Sequence, residues 1–225
     1  MINSLNSTGR KLLAALAATT FALFSTSVSA AGSGHQERKA DFDGAHATAD
    51  ARYVADWVVD SRDNGKKPFV VVDKKGARIY VFDASGTLVG ESAALMGYQP
   101  GDLTVPGVGK KKISQILPHE RTTPAGRFLA QPGRNNHGEK VIWVEYNSGF
   151  AIHRVRGNNP EQRRHDRLAT PSVADNKISL GCVVTPVNFF TDIVDKTIGR
   201  GYSVVYVLPE TQPVRGYFDG AAQSM

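Results

Sequence analysis

The sequence predicts a mostly β domain of the α+β kind, a sandwich or curled mixed sheet carrying one or two helices. Two observations carry that reading. Short β-branched and aromatic runs recur from Phe69 to Leu208, divided by Gly, Pro, Asn and Lys-Gly turn signals. Only two segments, Asp50–Asp60 and Thr185–Ile198, place apolar residues at helical spacing.

The elements follow in order. Met1–Arg10 is polar, Leu12–Phe24 is an apolar run of thirteen residues, and Ser25–Ala30 is small, with Val28 and Ala30 where a processing enzyme reads them. This is the pattern of a secretory signal over residues 1–30. Thirteen residues make a helix of about 20 Å, short of a ~30 Å hydrocarbon core, so no stable membrane anchor is expected after cleavage. Residues 31–67 read as a flexible leader followed by a short amphipathic helix carrying Tyr53, Val54, Trp57 and Val58. Phe69–Asp73, Arg78–Phe82 and Leu88–Ala94 then form a three-stranded meander. Gly97–Arg121 is a Gly/Pro-rich connection, and Arg127–Gln131, Val141–Tyr146 and Phe150–His153 are further strands. Val155–Lys177 is polar, and Leu180–Val184 is a short strand. Thr185–Pro186 caps a helix running to Ile198, and Tyr202–Leu208 is a last, central strand. The domain spans residues 68–209, with 210–225 a C-terminal tail.

Composition removes several functions. The 225 residues carry 27 Lys+Arg against 21 Asp+Glu. Without residues 1–30 the excess is four positive charges, a balance compatible with work near an anionic envelope polymer. Export and the lack of an aromatic-basic motif disfavour nucleic acid as a partner. One cysteine excludes a disulfide framework, a CxxC redox pair and a Cys-rich zinc site. The six histidines form neither HxH nor HExxH, Asp41–Gly44 has too few ligands for a calcium loop, and Gly107–Lys112 is not a phosphate loop. No metal or cofactor is expected.

The chemistry centres on Ile178–Val184 (ISLGCVV). A thiol nucleophile needs a base or cation, access, and donors for the oxyanion formed on attack. Gly181 before Cys182 allows a tight turn and a close approach of a substrate carbonyl to the amide groups. Alone, Gly-Cys is a weak signal, because free cysteine is among the most buried residue types.

Ser179–Val183 resembles the [S/T]-H-G-C-hydrophobic signature of the L,D-transpeptidase (YkuD-type) catalytic domain. His153, closing the strand from Phe150, matches the family's upstream histidine, and Thr123–Phe128 resembles its T-P-x-G-x-F strand entry. The likeness runs in order over residues 69–208. It departs in three places: Leu180 replaces the usual histidine, Val184 the usual Asn or Arg, and His153 precedes Cys182 by 29 positions, implying an insertion in Val155–Lys177. That insertion contains Arg156, Arg163, Arg164 and Arg167, a basic run able to meet acidic peptide carboxylates.

The resemblance implies an L,D-transpeptidase-like sheet and a set of roles. Cys182 attacks a carbonyl of a peptidoglycan stem peptide, and His153 takes the thiol proton and passes it to the leaving amine. Amides around Gly181 and Cys182 hold the oxyanion, with Ser179 a candidate for supporting the site. An imidazole beside the thiol is expected to lower its pKa. Arg154, Arg156 and Arg127 are candidates for substrate contact. The acceptor is a second stem or a wall-attached protein. Two alternatives remain open: water as acceptor, giving a carboxypeptidase or endopeptidase, and a non-catalytic wall-binding module with a degenerate site. Rapid, His153-dependent alkylation of Cys182 separates an enzyme from a binding module.

Overall fold

Most of the expected strands are present in a computed structural model that describes residues 37–157 and 160–218. The signal read in residues 1–30 lies outside the described residues, as does the end of the tail, 219–225.

Helix α1 (Ala49–Ser61) starts where Thr48 Oγ1 accepts the Ala51 amide at 3.1 Å, and ends at Arg62 in a left-handed conformation. Strands β1 (Phe69–Asp73), β2 (Arg78–Phe82) and β3 (Leu88–Ala93) form the expected antiparallel meander. The remaining strands are β4 (Met96–Gly97), β5 (Gly126–Arg134), β6 (Lys140–Glu145), β7 (Phe150–Arg154), β8 (Lys177–Ser179), β9 (Val183–Thr185) and β10 (Ser203–Val207). Helix α2 (Arg164–Ala169) precedes β8. Helix α3 covers 187–197, with a π-helical turn at Phe190–Val194.

Eight strands hydrogen-bond in the order β3-β2-β1-β10-β5-β6-β7-β9, and β4 pairs separately with β8. Strand β10 is central, parallel to β1 and antiparallel to β5. Strand β5 makes the corner: residues as far as Ala130 pair with β10, and from Gln131 onward with β6. Past β3 the chain crosses to the opposite edge, where Leu95 and Val184 exchange backbone hydrogen bonds of 2.8 and 2.9 Å. The sheet therefore curls until its two outer strands are bridged.

Two apolar layers hold it. Val70, Val72, Val205 and Val207 face inward with Ile142, Ile152 and Val183, under Phe190, Val194 and Ile198 of α3. The alternate residues Phe69, Val71, Val204 and Tyr206 face Val54, Ala55 and Val58 of α1. Burial on both faces is why β1 and β10 read as unbroken apolar runs.

Four expectations need correction. The leader is not free from Glu37 onward: Phe42 is buried with its ring against Tyr80 and Phe82, an anchor too isolated to show periodicity. The tail is packed as far as Phe218, whose ring lies on Trp57 and Tyr206. The strand expected at Leu180–Val184 is broken, because residues 180–182 turn between β8 and β9. Thr185 ends β9, fully buried, so α3 starts beyond Pro186 without a side-chain cap.

Candidate active site

The site is built where β9 leaves the turn and runs parallel to β7. Pairing aligns Ile152 with Val183 and His153 with Val184. Ile152 and Val183 enter the inner core, so His153, Val184 and Cys182 share the other face by strand alternation. Cys182, one residue before β9, thus stands two positions from Val184, the register partner of His153.

The Cys182 turn is fixed by two side chains, Ser179 and Thr123. Ser179, 1% exposed, accepts the Gly181 amide at 3.1 Å and donates to the Cys182 carbonyl at 2.6 Å. Thr123 donates to the Gly181 carbonyl at 2.8 Å. Gly181 has φ +129°, and a Cβ there would lie 2.8 Å from the Thr122 carbonyl oxygen. Only glycine fits. Gly181→Ala is expected to lower stability by about 1–3 kcal/mol and to slow any reaction at the sulfur, read by thermal melting and thiol acylation.

Cys182 is half-buried and lines an open cleft of about 200 Å³. Its thiol donates to the Gly149 carbonyl at 3.5 Å and accepts the Ala151 amide. The cleft walls are Leu180, Phe150, Ile113 and Ile116, with Glu120 and Lys111 paired at 2.5 Å on one side. Burial pushes the thiol up, against the Ala151 amide and the cations of Arg156 and Arg164. The expected lowering of its pKa by the imidazole is not found: among the described residues neither side chain hydrogen-bonds the other, and desolvation dominates.

His153 Nδ1 lies 2.8 Å from the Arg154 carbonyl oxygen. A carbonyl only accepts, so Nδ1 carries the proton and Nε2 keeps a free lone pair. Burial takes the imidazole down to about 4; the Arg154 bond opposes this, Arg156 and Arg164 add to it, and Glu139 opposes it weakly. At neutral pH the pair rests as thiol and neutral imidazole, with no ion pair.

The basic candidates separate. Arg154 bonds Glu139 Oε1 at 2.8 Å, and Arg156 Nε lies 2.6 Å from Glu139 Oε2 without directing its N–H there. Arg127 is not at the site: it faces α1 and binds Asp63 through Nε at 2.5 Å, beside Tyr206. Arg164, half-buried in the polar insertion, is a member of the expected basic run that stands near the chemistry. Its field reaches both Cys182 and His153, its Nε bonds Gln162 at 2.6 Å, and it pairs with no carboxylate among the described residues. Thr123, Gly149 and Ala151 went unassigned. Only Thr123 stood in a quoted motif, and the contacts of all three join residues far apart in the chain. Among the described residues no group of His, Cys, Asp or Glu is arranged to hold a metal ion, and no helix is long and apolar enough to cross a membrane.

No family model and no curated protein sequence matches the chain. Solved structures do. The helical cell shape determining protein Pgp2 from Campylobacter jejuni is 15% identical, covering 65% of this chain and 49% of its own, with a TM-score of 0.43. An L,D-transpeptidase from Mycobacterium smegmatis is 16% identical over 63% of this chain and 58% of its own, with a TM-score of 0.36. One from Enterococcus faecium is 16% identical over 63% and 50%, with a TM-score of 0.34. The chain spans roughly half of the structures it resembles.

Proposed function

We propose that this protein is an exported cysteine acyltransferase of the L,D-transpeptidase kind, acting on peptidoglycan stem peptides. The observation that carries the proposal is a cleft-lining thiol just before β9, in a register that sets it on the same sheet face as His153, whose Nδ1 is held by a carbonyl and whose Nε2 is left to accept a proton. The motif resemblance supplies the substrate class.

Each step uses a group already placed. The Cys182 sulfur attacks the peptide carbonyl and forms a C–S bond as its proton passes to His153 Nε2. The carbonyl electron pair moves to oxygen, where the backbone amide of Cys182, unengaged among the described residues, stabilises it. Collapse breaks the C–N bond, and the imidazolium returns its proton to the departing amine. An incoming amine then takes the acyl group by the reverse sequence. Hydrogen bonds between catalytic groups are commonly unformed before substrate binds, so Nε2 need engage the thiol only in the complex. Arg164 and Arg156 put positive potential beside the sulfur, which suits a substrate rich in carboxylates.

The departures from the motif fit this reading. Val184 packs beside Leu95 and Val155, and Leu180 is an apolar cleft wall. Neither blocks Nε2.

Incubation with a tetrapeptide muropeptide, read by mass spectrometry, tests the proposal. The expected product is a crosslinked or amine-exchanged peptide that disappears in Cys182→Ala. A shortened peptide alone identifies water as the acceptor. Unchanged substrate, with no carbapenem adduct on Cys182 by intact mass, overturns the proposal in favour of a binding module.

A further inference from the structure

We infer that Thr123 is the positioning residue that aims the oxyanion donor of this site, acting through the Gly181 carbonyl and locked from behind by the buried Lys74–Asp102 pair; the inference rests on the acyl-transfer reading above.

Thr123 is 2% exposed and its hydroxyl is fully committed. Its one proton goes to the Gly181 oxygen at 2.8 Å, and its lone pair accepts the Gly97 amide at 2.8 Å. The hydroxyl thus ties the turn to β4 with no freedom to rotate.

The consequence for Cys182 comes from peptide geometry. The Gly181–Cys182 bond is trans, so the Gly181 carbonyl and the Cys182 amide point in opposite directions. With the carbonyl held inward by Thr123, the amide faces away from Thr123. Gly181 and Cys182 both line the cleft, and among the described residues the Cys182 amide has no acceptor. Two other polar groups of the turn are spent on Ser179: the Gly181 amide and the Cys182 carbonyl. What remains is an unengaged N–H on the nucleophile's own residue, the geometry that meets a developing oxyanion.

The support behind Thr123 is costly enough to need a purpose. Lys74 is 1% exposed, yet its ammonium donates to the Thr123 carbonyl at 3.0 Å, to Gly101 at 2.5 Å and to Asp102 at 2.8 Å. Burying two charges gains little stability over apolar packing, but it fixes geometry. Here it fixes the backbone of the one residue that grips the Gly181 carbonyl.

Two reactions of the same sulfur separate aiming from folding. Iodoacetamide alkylates by displacement at carbon and forms no oxyanion. Acylation by p-nitrophenyl acetate does form one: the C–S bond forms, the carbonyl pair moves to oxygen, and collapse breaks the C–O bond to release p-nitrophenolate. Thr123→Val keeps the shape and removes both hydroxyl bonds. It is expected to slow acylation roughly 100-fold while alkylation stays within about twofold, and Thr123→Ser is expected to recover most of the loss. Equal loss of both rates, or an unchanged acylation rate, overturns the inference. Should the valine variant not fold, Thr123→Ala is read by the same two rates. A wild type acylated no faster than Cys182→Ala removes the acyl-transfer reading itself.

Discussion

His153→Gln is expected to slow acylation of Cys182 by roughly 10²- to 10⁴-fold, the usual worth of a general base. The pH profile says how the base works. Burial takes His153 to about 4, below the ordinary ~6.5 for histidine. The wild-type acylation rate should therefore stay level from pH 7 down to about 5 and fall around pH 4, as the imidazole takes up the proton it must accept. A rate that already falls between about pH 7 and 6, where an ordinary histidine takes up its proton, would refute the neutral-base scheme. Stability follows the same sign. Between about pH 4 and 6.5 the unfolded chain binds a proton at His153 that the folded chain refuses, so stability falls as pH drops through that window. His153→Gln should flatten this part of a melting-temperature profile.

Asp102→Asn is expected to cost about 3–5 kcal/mol, the range for leaving one member of a buried ion pair alone. Burial raises the Asp102 carboxyl, but the Lys74 ammonium, the Thr211 hydroxyl and the amides of Glu210 and Thr211 outweigh it and hold it well below the carboxylate range. Those bonds are 2.8 Å to Lys74, 2.5 Å to Thr211 Oγ1, and 2.6 and 2.9 Å to the amides. Lys74→Met should cost less, because Asp102 keeps three donors, whereas Asp102→Asn leaves an ammonium with only carbonyls. A double-mutant cycle by chemical denaturation is expected to show strong coupling, the double variant losing less than the sum of the singles. Additive losses would mean that the pair contributes through its separate contacts.

Local chemistry shows in the sequence; long-range choices do not. Strands β1 and β2 lie where their apolar runs place them, and β10 is central because it is apolar on both faces. The turn at Gly181 was read as strand because ISLGCVV has strand composition. What breaks it is a hydroxyl from Thr123 and a backbone exchange between Leu95 and Val184, both distant in the chain. Cys182 and His153 were singled out through resemblance to a family motif, although the 29 positions between them depart from it. Arg127 was misplaced on the cleft because strand parity could not be assigned before the pairing of Arg127 with Tyr206 was known. Asp63, its true partner, sits in a loop 64 residues away.

The central position of β10 also orders the birth of the fold. The meander β1–β2–β3 and the strands β5–β6–β7 can each form early, but they meet only across β10, which leaves the ribosome last among the strands. Until Ser203–Val207 arrives, the facing sides of β1 and β5 lack a partner and neither apolar layer can close. A polypeptide that stays open until its final strand is delivered gains its packed layers only when synthesis is nearly complete.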